Sequence, residues 1–140
     1  MITLELANRL IDATLAEAKS LHLKPLTVVV TDPGGYIVAL ARQDGSSNLR
    51  PAIALGKASG ALALGVSSRK LAELAAERPT FIASLASLSA HGVVPAAGAV
   101  IFRRSDGGIA GAVGVTGDTS DNDERAALAG IAAAGFTVTT

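Results

Sequence analysis

Hydrophobic and polar positions alternate with two distinct periods along this chain. Leu4, Ala7, Ile11, Leu15, Ala18 and Leu21 recur at helical spacing, with Glu5, Asn8, Asp12 and Lys19 on the other side. This predicts an amphipathic helix with Thr3 as its N-cap, ended before Pro25. Leu26 to Thr31 is a β-branched run, and Asp32-Pro33-Gly34-Gly35 is a turn signal. Tyr36 to Arg42 then reads as the return strand of a hairpin. Pro51 suits the first turn of a helix that runs to about Leu64. Ser67 or Ser68 caps a further helix through Glu77, which Pro79 breaks. Phe81, Leu85 and Leu88 mark one more short helical segment, and His91 to Pro95 reads as a loop or short strand.

Ala99 to Arg104 and Ile109 to Thr116 read as a second hairpin across Asp106-Gly107. In its second strand, strict alternation puts Ile109, Gly111, Val113 and Val115 on one face. The other face carries Ala110, Ala112, Gly114 and Thr116, small enough for a helix or a flat ligand to approach closely. Thr119 or Ser120 caps the last helix, whose first turn holds Asp121, Asp123 and Glu124. Phe136 to Thr140 reads as a short edge strand. The order helix, hairpin, helices, hairpin, helix predicts one α+β domain over residues 1–140, an antiparallel sheet flanked by helices.

Composition narrows the chemistry. Hydrophobic residues at 49% supply a core, and aromatics at 3% mean that Ala, Val, Leu and Ile must build it. Twelve basic residues balance twelve acidic ones, which speaks against a nucleic-acid binder. Without cysteine there is no disulfide, thiolate nucleophile or Cys-ligated zinc. The first twenty residues are too charged for a signal peptide, and the stretch from Pro51 to Val66 is shorter than the roughly 20 residues of a membrane span. A cytoplasmic protein without membrane or nucleic-acid partners is expected. Charged residues at only 17%, together with Gly56 and Gly60 inside a helix, point to close packing and to self-association.

The order and spacing of several motifs are more specific than any one of them. Asp32-Pro33-Gly34-Gly35, Asp44-Gly45, Lys57-Ala58, Asp106-Gly107, the run Gly111 to Gly117, and Asp121 with Asp123-Glu124 together resemble the GlcG/HbpS family. This resemblance extends over essentially the whole chain. It implies a profilin-like α/β fold and assembly into dimers or larger rings, often octamers. Some members of that family bind haem, and others accompany pathways that degrade organic acids, aromatics or diols. The chain departs from the family pattern at Gly98-Ala99-Val100-Ile101, where relatives usually carry a Gly-Gly pair and a proline at the position of Ile101.

The candidate chemistry is sparse. Lys57 stands in a helix of small apolar residues, which suits it to hold an anion or to act as acid or base. The plain alternatives are a side chain that snorkels to solvent or pairs with a carboxylate of a neighbouring subunit, and Asp121, Asp123 and Glu124 of the last helix are the expected acidic neighbours. Of the two histidines, His22 lies at a helix end and serves its dipole, whereas His91 sits in a loop and is the candidate axial ligand of a haem. Glu124 is a candidate acid–base partner. Phe81, Arg103, Thr116 and Asp121 are candidate ligand contacts. No Gly-x-Ser-x-Gly elbow, His-Glu-x-x-His or phosphate-loop ending is present. The first reading is a small-ligand-binding domain taking haem or a small organic anion at a subunit interface. The alternative is a catabolic isomerase, hydratase or hydrolase using Lys57, His91 and Glu124.

Overall fold

In the computed structural model, which describes residues 1–138, helix α1 (Leu4–Ser20) starts where Thr3 Oγ1 accepts a hydrogen bond from the Leu6 amide at 3.2 Å. It ends in a paired motif: the His22 amide donates to Lys19 O and the Leu23 amide to Ala18 O. His22 itself takes a left-handed conformation (φ 56°), a place usually given to glycine. The buried side of α1 is Ala7, Leu10, Ile11, Thr14 and Ala18, while Leu4 is exposed. The predicted stripe is therefore rotated. The cause is helix α5 (Ser120–Ala133), whose Gly130 lies so close that a Cβ there would stand 2.0 Å from Thr14 Oγ1.

Strands β1 (Thr27–Thr31), β2 (Ile37–Arg42), β3 (Ala99–Arg103), β4 (Ile109–Thr116) and β5 (Thr137–Val138) form one antiparallel sheet in the order β2-β1-β4-β3-β5. The first turn is built by Asp32, whose Oδ1 accepts from the amides of Gly34 and Tyr36. The expected edge strand is confined to Thr137–Val138 within the described residues; Thr139 and Thr140 lie outside them. Helices α1 and α5 cover one face of the sheet, burying Leu10, Ile11 and Ile131 against Val28, Val113, Val115 and Phe102. Helix α2 (Arg50–Leu64) covers the other face, with Ala58 and Ala61 against Ala99, Ile101 and Ala112.

Alternation in β4 is broken. A register shift at Phe102/Arg103 sends Ala110 to the α1/α5 side and Ile109 to the α2 side, the reverse of the strict pattern. The small face admits a helix: a Cβ on Gly114 would lie 2.1 Å from Ala54 O of α2. Beyond α2 come α3 (Ser68–Glu77), capped by Ser67, and α4 (Pro79–Leu85). The loop before β3 then returns across α2. Gly56 O accepts from the Val94 amide, and Val94 and Val93 occupy the space that side chains on Gly56 and Gly60 would need. The close packing expected of these glycines is thus made within the chain, so they are no argument for a second copy.

Candidate functional site

Helix α2 presses Lys57 against the sheet, and the helix's small neighbours leave room for its full length. The residue is 3% exposed, and its ammonium donates to Val115 O at 2.9 Å and to Asp123 Oδ2 at 3.3 Å. Asp123, equally buried, accepts the Asp118 amide on its other oxygen at 2.9 Å. Burial lowers the pKa of Lys57 against the opposing pull of Asp123, and the charge of Arg50 adds to the fall. Burial likewise raises the pKa of Asp123. Both shifts favour the neutral forms, so desolvation outweighs the mutual attraction at each partner. Of the three acidic residues that open α5, Asp123 alone reaches Lys57.

Arg69 of α3 takes the other two. Its Nε donates to Glu124 at 3.0 Å and its Nη2 to Asp121. This pairing rims an open depression of about 440 Å³ between α3, Ala96–Ala97 and the start of α5.

His91 belongs to a different place. It follows Ser89 in a turn tied to α2, where Ser59 Oγ and Ser89 Oγ both donate to Gly92 O. The imidazole stands edge-on to the ring of Tyr36, with centroids 5.6 Å apart and planes at 80°. Gly34, Tyr36, Ser59, Leu62, Ala63 and His91 line a groove of about 200 Å³. Tyr36 was not singled out from sequence. Its signal was there, one of four aromatics at the exit of a turn, but its neighbour lies 55 positions away in a loop.

The remaining candidates are dispersed. Phe81 is part-exposed beneath the Arg78 guanidinium, 4.3 Å from the ring centre. Arg103 Nη1 donates to Gly107 O within the β3–β4 turn. Thr116 is fully buried, and its hydroxyl accepts from Arg50 Nη1 at 2.8 Å. No hydrogen bond or ion pair joins Lys57, His91 and Glu124 to one another among the described residues. Nor do those residues contain a cluster of three or more His, Asp or Glu able to hold a metal ion, or a helix long and apolar enough to cross a membrane.

Solved structures share this architecture. The chain superposes on a PduOC–haem complex with a TM-score of 0.87 at 22% identity, covering 99% of both chains. It matches the ORFY protein of Klebsiella pneumoniae at 0.83 and 23% identity, covering 95% and 90%. HbpS matches at 0.79 and 27% identity, covering 94% and 88%. No curated protein matches the chain significantly. Residues 2–132 match the family model described as haem degrading protein HbpS-like, and the chain belongs to that family.

Proposed function

We propose that this chain is a haem-binding domain in which His91 supplies the axial ligand, working as an assembly of two or more copies. The family match over residues 2–132 carries this reading. The donor set of the His91 groove fits the group. Neither ring nitrogen of His91 bonds to another described residue, and the Tyr36 phenol beside it is also an iron-ligand type. When bound, haem would supply a redox-active iron; His91 and Tyr36 would hold and orient it.

The groove's size supports assembly. At about 200 Å³ it falls below the roughly 300–1,000 Å³ that encloses a drug-sized ligand, so it would grip only one edge of a porphyrin. Tyr36, just before the outer strand β2, and Ile37 and Leu40 on it stand exposed next to the groove, an apolar margin that a second copy would cover. The alternative, acid–base catalysis by Lys57, His91 and Glu124, has less support, since no hydrogen bond or ion pair joins the three among the described residues.

Titration of the purified protein with hemin should give a saturable Soret change that His91→Ala alters. Absence of that change in the wild type would overturn the haem reading. An unchanged band in His91→Ala would overturn the ligand assignment and direct attention to Tyr36→Phe. In light scattering, a mass near 13.9 kDa would remove the assembly.

A further inference from the structure

A second, smaller site lies at the start of α2. Lys24, Pro25, Gly45, Ser46, Ser47, Arg50 and Gly117 line an open cavity of about 200 Å³. Two cations converge there, and among the described residues no carboxylate is in salt-bridge contact with either. Among the described residues the Arg50 guanidinium makes one hydrogen bond, from Nη1 to the buried Thr116 hydroxyl, which leaves its Nε–Nη2 edge for a ligand. The Lys24 ammonium makes no ion pair with another described residue. Asp118 is the nearby acid, but its oxygens are already taken by the Lys24 and Thr119 amides and by Asn122 Nδ2. Ser46 is held at the rim by a 2.7 Å hydrogen bond with Thr27 Oγ1, while the Ser47 hydroxyl makes none.

Electrostatics make the arrangement costly without a ligand. Arg50 is the first residue of α2, at the positive end of its dipole, and the first turn contains no acidic residue and no side-chain cap. Its charge also adds to the fall in the pKa of buried Lys57. We propose that this cavity binds a small oxyanion, carboxylate or phosphate, gripped by the free edge of Arg50 and by Lys24, with the Ser46 and Ser47 hydroxyls at its rim. The rigid fork of a guanidinium fixed at one end by Thr116 is suited to two parallel hydrogen bonds to such a group. The volume limits the ligand to a few heavy atoms or to the acidic end of a larger molecule. The site is separate from the His91 groove, with which it shares no lining residue, so it stands whether or not haem binds.

Backbone amide resonances of the full-length protein, followed by NMR during separate titrations with inorganic phosphate and with acetate, provide the test. Saturable shifts at Gly45, Ser46, Ser47 and Gly117 are expected, and whichever anion produces them identifies the source. Arg50→Gln should weaken the affinity at least about tenfold, the scale of one charge-assisted hydrogen bond. Because Arg50 also holds Thr116, Lys24→Gln is the variant that leaves the fold untouched; it should weaken binding about threefold, the scale of an exposed charge pair. The proposal is overturned if neither anion moves these resonances, or if the shifts persist with unchanged affinity in Lys24→Gln.

Discussion

Replacing Lys57 by Met tests whether the buried ammonium serves stability or ligand binding. Methionine keeps an unbranched apolar stem, one atom shorter, but removes the charge. Asp123, 1% exposed, would retain only the Asp118 amide as a donor, and Val115 O would lose its 2.9 Å partner. Breaking a buried pair from one side costs about 3–5 kcal/mol, because an uncompensated charge stays behind. For a chain of this size that corresponds to a fall in Tm of roughly 10 °C or more. Urea unfolding at neutral pH, with the m-value checked for constancy, measures it directly. The double variant Lys57→Met/Asp123→Asn is the control. Asparagine keeps an oxygen for the Asp118 amide and removes the stranded charge, so it should recover about half of the loss. A single variant within about 1 kcal/mol of wild type, the net size of an ordinary hydrogen bond, would refute the argument. If that stable variant also bound hemin or an anion more weakly, Lys57 would be a ligand contact instead.

Gly114→Ala should destabilise by about 1–3 kcal/mol in the same urea assay, since its Cβ would meet Ala54 O at 2.1 Å and push α2 off the sheet; wild-type stability would contradict the close helix–sheet approach. Asp118 is held to a pKa of about 2, against 3.8 when free, by its bonds from Asn122 Nδ2 and the Lys24 and Thr119 amides. A depressed carboxylate stabilises the fold above the free value and loses that contribution as pH falls through the folded one. Asp118→Asn should therefore melt lower than wild type at neutral pH, and the gap should close between about pH 4 and pH 2. A gap independent of pH would show that the charge is not what Asp118 contributes.

The short-range features of this molecule were legible in the sequence because their causes are short-range. Thr3, Ser67 and Thr119 cap helices by bonding amides three residues on, and Asp32 closes its turn through amides two and four residues on. The hairpins, the element order and the α+β class follow from periods and turn residues of the same reach. The choice among equivalent local options required the tertiary structure. Helical spacing put Leu4 in the inner stripe of α1 together with Leu15, but the approach of Gly130 selected Leu10 and Thr14, leaving Leu4 exposed and Leu15 half-buried at the margin of the core. Alternation in β4 could not show the bulge that exchanges Ile109 and Ala110, because the partner strand imposes it. The sequence marked Lys57 as an ammonium needing a partner and offered three acids within one turn, Asp121, Asp123 and Glu124. Only packing of α5 against the sheet, 66 residues further on, decided that Asp123 turns inward while Asp121 and Glu124 go to Arg69. Tyr36 with His91, and Lys24 with Arg50, meet for the same reason: side chains distant in sequence become neighbours only when the sheet brings their loops together.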